Sequence, residues 1–162
     1  CGMRVSELCG IRLQDINPTT KQLRLLGKGN KERIIYINEA CLDSINAYLE
    51  VRKPSAKAAY KNHLFLSQNG EQLTTRRVEQ IVSDCLKKAG LDGKGFSPHK
   101  LRHTAATLMY QHGNVDIRVL KEILGHENLA TTEIYTHVGD QQMQDAALNS
   151  PLANVRKKKK ED

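Results

Sequence analysis

The 162-residue chain contains no tryptophan, and none of its apolar runs approaches the ~20 residues that a membrane-crossing helix requires. It also lacks the basic start and apolar stretch of a secretory signal, so the sequence points to neither a membrane nor export. The four cysteines, Cys1, Cys9, Cys41 and Cys85, are scattered and form no C-x-x-C pair. This spacing disfavours a zinc site and a disulfide framework and predicts reduced thiols in a cytoplasmic protein. Internal repeats are absent, as is any low-complexity tract before the C-terminal tail.

What the chain does have is positive charge. Lys and Arg number 25 against 18 Asp and Glu, a formal net charge of +7. The tail Arg156–Asp162 holds five basic and two acidic residues, so a basic excess remains on the body of the chain. Such an excess suits a polyanion, because each neutralised phosphate releases condensed counterions; a basic but merely solvated surface is the competing reading. Length fits one domain, placed at residues 1–150, with a disordered basic tail at 151–162. The chain opens at Cys1 without an initiator Met and runs straight into a helical pattern, as an excised fragment would.

Hydrophobic spacing and turn residues predict a mainly α fold with one small three-stranded antiparallel β-sheet. Val5, Leu8 and Cys9 lie at helical spacing. The runs Leu23–Leu26 and Arg33–Ile37 flank a glycine turn, the signature of a β-hairpin. Asn38 is read as the cap of a helix reaching Val51, and Leu64–Leu66 as a short strand. Thr74 or Thr75 caps a helix ending at Gly90; Ser97 and Pro98 begin one that stops near Gly113; Asp116 begins one that stops at Gly125. A short helix bearing Tyr135 and a last one over residues 140–148 complete the reading.

Taken singly, the polar residues are weak signals. His99 and Arg102 sit at i, i+3 near a helix N-terminus, where backbone N–H groups and the macrodipole favour a bound phosphate. His99 and His103 are equally well spaced at i, i+4, which also suits a metal or no function at all. Lys100 occupies the place where H-E-x-x-H has its glutamate, and no nearby acid or thiol completes a ligand set, so zinc is disfavoured. Lys28 and Lys31 stand at a hairpin tip, His126 just beyond a helix end, and Tyr135 nine residues further on.

Together, the ordered segments Gly2-Met3-Arg4-Val5-Ser6-Glu7-Leu8, Gly27-Lys28-Gly29-Asn30-Lys31-Glu32-Arg33, His99-Lys100-Leu101-Arg102-His103, Leu124-Gly125-His126 and Thr132-Glu133-Ile134-Tyr135 resemble the tyrosine recombinase/integrase family, nearest its Xer-type and transposon or phage integrase branch. The resemblance implies the family's catalytic-domain fold, truncated at its N-terminus, and a DNA-associated, bacterial-type cytoplasmic protein. It also implies strand cleavage by Tyr135 as nucleophile, with Arg4 and Arg102 clamping the phosphate and His99 as base. His126 is then a hydrogen-bond donor to a phosphate oxygen, and Lys28 the acid for the leaving oxygen, with Lys31 as the alternative lysine. Glu7 is expected to hold Arg4 and a histidine in place. His103 is expected to point away from Arg102 and is given no chemistry.

The partner implied is double-stranded DNA, bound by a homotetramer on paired sites with C-terminal segments exchanged after about Asp140, and by a monomer when DNA is absent. Cofactor and metal are both expected to be none. Two alternatives stand beside this reading: a non-catalytic DNA-binding accessory protein, and relaxation of the type IB topoisomerase kind.

Overall fold

The hairpin expected between Leu23 and Ile37 forms in the computed structural model, which describes residues 2–112, 115–125 and 147–148. Strands β1 (Ile16–Asn17), β2 (Gln22–Leu26) and β3 (Glu32–Tyr36) pair antiparallel in the order β1-β2-β3. Asn17 makes the first corner: its Oδ1 accepts from the backbone N–H groups of Thr19 and Thr20, both at 3.1 Å. The second corner is a single 3₁₀ turn, Lys28–Asn30, closed by Gly27 N–H donating to Lys31 O at 2.8 Å. Gly29 (φ 70°) and Asn30 (φ 62°) supply its left-handed backbone.

In the register, Leu25 opposes Arg33 and Leu23 opposes Ile35. Because strand side chains alternate, these four residues share one face. That face carries the first apolar cluster, in which Leu23, Leu25, Ile35 and Ile37 join Ile11, Ile45 and Leu64, with Met3 and Leu8 packed against them. Helix α1 (Val5–Gly10) thereby lies over the sheet, and Arg33 sits at the end of the apolar row beside it.

Helix α2 (Glu39–Val51) starts where Asn38 Oδ1 accepts from Cys41 N–H at 3.0 Å. Replacing Asn38 by Ala leaves that donor unsatisfied and is expected to lower stability by about 1 kcal/mol, read as a lower denaturant midpoint at unchanged slope. Helix α3 (Thr75–Lys88) is capped by Thr74, whose hydroxyl accepts from Arg77 N–H at 3.2 Å; its end is marked by Gly90 at φ +70°.

Helices α4 (Pro98–His112) and α5 (Ile117–Leu124) begin at Ser97 and Asp116 as expected. They build the second cluster, in which Ala106, Met109, Val119, Leu120, Ile123 and Leu124 pack together with Tyr36. Gly125 ends α5 at φ 62° and ψ 47°, the left-handed cap that glycine adopts without strain.

One element differs from expectation. Leu64–Leu66 is not a strand: one isolated bridge lies just before it, Arg12 with His63, and another at its last residue, Leu66 with Gln72. Leu64 is buried by the sheet cluster, and Arg52 spans the carbonyls of Leu64 and His63, so the apolar triplet packs without a ladder of its own. The helix predicted around Tyr135 lies outside the described residues, as does most of the one predicted at 140–148. Among the described residues, no helix is long and apolar enough to cross a membrane.

Candidate phosphate site at the end of α5

The last carbonyls of a helix have no partner within it and carry the negative end of the macrodipole. In α5 three successive ones are met by three arginines from distant parts of the chain. Arg33 Nε donates to Ile123 O at 3.3 Å, Arg102 Nη2 to Leu124 O at 2.6 Å, and Arg4 Nη2 to Gly125 O at 2.7 Å. Arg102 also donates through Nη1 to Gly2 O at 2.6 Å, tying α4 to the segment ahead of α1.

Among the described residues, a single carboxylate balances this cluster. Glu7 projects from α1 with only 2% of its side chain exposed. It accepts from Arg33 through both oxygens, at 2.6 and 2.9 Å, from Arg4 Nη1 at 3.0 Å, and from the Arg4 backbone N–H at 2.7 Å. Burial pushes the Glu7 carboxyl up, but the Arg33 bond, the Arg4 backbone bond and the Arg33 charge outweigh it. The group is held below its ordinary value of 4.5.

Arg102 is displaced for the opposite reason. Burial first, then repulsion from Arg4 and Arg33, pull its guanidinium below the usual value, with Glu7 pulling the other way. It remains charged at neutral pH. Three guanidiniums against one carboxylate leave a surplus of positive charge that an incoming anion relieves. Arg4 and Arg102 each bond protein through Nη1 and Nη2, while their Nε groups make no bond among the described residues. Two planar forks with donors to spare can bind the non-bridging oxygens of a phosphate.

Of the residues singled out in the sequence, the structure thus brings together Arg4, Glu7 and Arg102. His99 is engaged elsewhere: its Nε2 lies 2.8 Å from that of His103, with the rings edge to face on the exposed side of α4. The i, i+4 spacing was the visible signal for this pairing, and it gives His103 a partner that its sequence reading did not assign. Lys28 is the first residue of the hairpin-tip turn; its side chain, like His126 and Tyr135, lies outside the described set. Arg33 is the residue that sequence reasoning passed over. Strand alternation places it beside Ile35, but nothing local reveals its partner 26 positions earlier.

Comparison with known proteins gives the same direction. Residues 1–142 match the phage integrase family. The tyrosine recombinase XerC of Caldanaerobacter subterraneus is 52% identical over 94% of this chain and 42% of its own length. The crystal structure of XerA recombinase superposes with a TM-score of 0.68 at 35% identity, covering 89% of this chain and 50% of that one. A second solved structure, XerH site-specific recombinase in a post-cleavage complex with palindromic difH substrate, gives 0.68 at 31% identity over 91% of this chain and 42% of that one. The chain spans about half the length of the curated relatives it matches. Its fold is that of the tyrosine recombinase catalytic domain, and the chain belongs to the phage integrase family.

Proposed function

We propose that this chain is the catalytic part of a site-specific DNA recombinase that breaks and rejoins strands through a phosphotyrosyl intermediate. The observation that carries the reading is the convergence of Arg4 and Arg102 on consecutive carbonyls at the end of α5, one residue before His126. Bound there, a scissile phosphate meets two guanidinium forks that stabilise the added negative charge of a pentacovalent transition state.

In the reaction, the Tyr135 phenol oxygen attacks phosphorus and the bond to the 5′ oxygen breaks, leaving a 3′-phosphotyrosyl ester and a 5′-hydroxyl. His99, once it gives up its bond to His103, takes the phenolic proton directly or through water, and Lys28 delivers one to the departing 5′ oxygen. His126 donates to a non-bridging oxygen. A 5′-hydroxyl from a partner strand then attacks the ester and releases Tyr135. The phosphoester is conserved throughout, so no nucleotide is consumed, and the arginines and lysine supply the charge neutralisation that other nucleases draw from divalent ions. Glu7 acts through Arg4.

Double-stranded DNA is the substrate, consistent with the DNA complex of XerH. On paired sites four protomers assemble, each passing the segment after about Asp140 to a neighbour, and without DNA the protein is a monomer. The test is trapping on a nicked duplex whose cleavage releases a short fragment and so cannot be reversed. A covalent adduct should form in EDTA and map to Tyr135 by peptide mass. DNA binding with no adduct at any nick, or an adduct that requires Mg²⁺, would overturn the reading.

A further inference from the structure

Arg33 carries chemistry that the reaction above does not use. All three of its guanidinium nitrogens bond protein: Nη1 and Nη2 the two oxygens of Glu7, Nε the carbonyl of Ile123. Its side chain is 17% exposed, against 39% for Arg4. Arg33 is therefore more fully committed to protein than Arg4 is. It is a link between the acid that orients Arg4 and the helix end from which the chain runs to His126.

Two features show what this link controls. Glu7 is buried, and a buried carboxylate draws in whatever cation can satisfy it. With Arg33 on both oxygens and the Arg4 backbone N–H on Oε2, the Arg4 guanidinium reaches only Oε1, through Nη1, and keeps Nη2 on the carbonyl of Gly125. Without Arg33, the same carboxylate would recruit the Arg4 fork to both oxygens and pull it off that carbonyl. Second, a Cβ added to Gly125 would lie 2.8 Å from Arg33 Cζ and 2.9 Å from Nη1. The guanidinium thus lies against the glycine backbone and fixes where the chain leaves α5.

We propose that Arg33 is a positioning residue: by occupying Glu7 it keeps the Arg4 fork available to phosphate, and by bracing Ile123 and Gly125 it sets the departure point of the segment bearing His126 and Tyr135. This deepens the recombinase reading and rests on it. Arg33 touches no DNA; its effect falls on the rate of the bound complex and not on binding.

The experiment uses the intact protein and the nicked duplex, measuring the equilibrium dissociation constant and the single-turnover adduct rate at saturating DNA. Arg33→Met is expected to slow the saturated rate about 10- to 100-fold while changing binding by less than about threefold. Adding Glu7→Gln to Arg33→Met should recover part of the lost rate, because a neutral amide no longer captures Arg4; a purely structural role would make the double variant slower still. Should Arg33→Met fail to fold, Arg33→Lys reads the same split, since one ammonium cannot hold both oxygens and Ile123 together. A saturated rate within about threefold of wild type, an equal loss in binding, or a double variant slower than the single one overturns the proposal. An intact wild type that forms no adduct overturns the recombinase reading itself; an active wild type beside an indifferent Arg33 variant overturns only this one.

Discussion

Arg102→Lys is expected to slow covalent adduct formation at saturating DNA by about 10²- to 10³-fold, with the fold retained. The reason is geometric, because the positive charge is kept. Arg102 uses two nitrogens to join Gly2 and Leu124, both at 2.6 Å, which aims the rest of its fork. Lysine has one ammonium on a flexible stem; it can satisfy one carbonyl or approach the phosphate, but cannot do both in a fixed plane. Half-buried and repelled by Arg4 and Arg33, the guanidinium is also poised for an anion in a way an exposed arginine is not. Arg24→Lys, on the solvent face of β2 beside Asp15 and Glu32, is the matched control and should change the rate less than about twofold. A loss under about tenfold for Arg102→Lys would remove this residue from the reacting centre.

The same geometry explains how three like charges coexist at the end of α5. The carbonyls at the end of α5 present partial negative charge, and Glu7 a full one, so each guanidinium has an acceptor within the protein. In the proposed reaction, preorganisation of this kind would place the donors in advance, so that little rearrangement remains as negative charge builds on the phosphate. It also ties chemistry to fold stability. Arg102 joins α4 to residue 2, and Arg33 joins β3 to α5, so the site is the clasp between the sheet cluster and the helical cluster.

Much of the fold was legible because its signals are local. Asn38, Thr74, Ser97 and Asp116 each accept from a backbone N–H two or three residues on, and Gly125 takes the left-handed cap; sequence spacing alone carries such information. The Arg4–Glu7 pair was legible for the same reason, three residues apart on one helix start. What spacing does not encode is which distant groups meet. The bond from Arg102 to Gly2 spans 100 residues and that from Arg33 to Glu7 spans 26, and both depend on the sheet register and on how α5 docks. Leu64–Leu66 failed as a strand for a related reason: apolar β-prone residues predict burial, while a ladder needs a neighbouring edge in register. His99 and His103 were adjacent by spacing, yet their mutual hydrogen bond became visible only with the side chains placed.

Glu7→Gln is expected to lower stability at pH 7 by about 2–4 kcal/mol, since removing one partner of a buried ion pair leaves the others uncompensated. The carboxylate is 2% exposed and serves Arg33 and Arg4 together; the amide keeps the shape but offers one acceptor oxygen where there were two, and its NH₂ faces guanidinium donors. The direction of the pH dependence follows from the lowered carboxyl of the folded state. Unfolded, Glu7 regains its ordinary value of 4.5, so at higher pH both states are ionised and the full stabilisation is present. As pH falls from about 5, the unfolded state takes up a proton that the folded state refuses, and the stabilisation declines until the folded carboxyl is also protonated. The variant has no such proton to bind. Urea unfolding of both proteins from neutral pH down to about pH 3 should therefore show the gap between them narrowing steadily below about pH 5. A gap that stays constant through that range, or is already below about 0.5 kcal/mol at pH 7, would mean that the Glu7 charge does not hold the arginine cluster together.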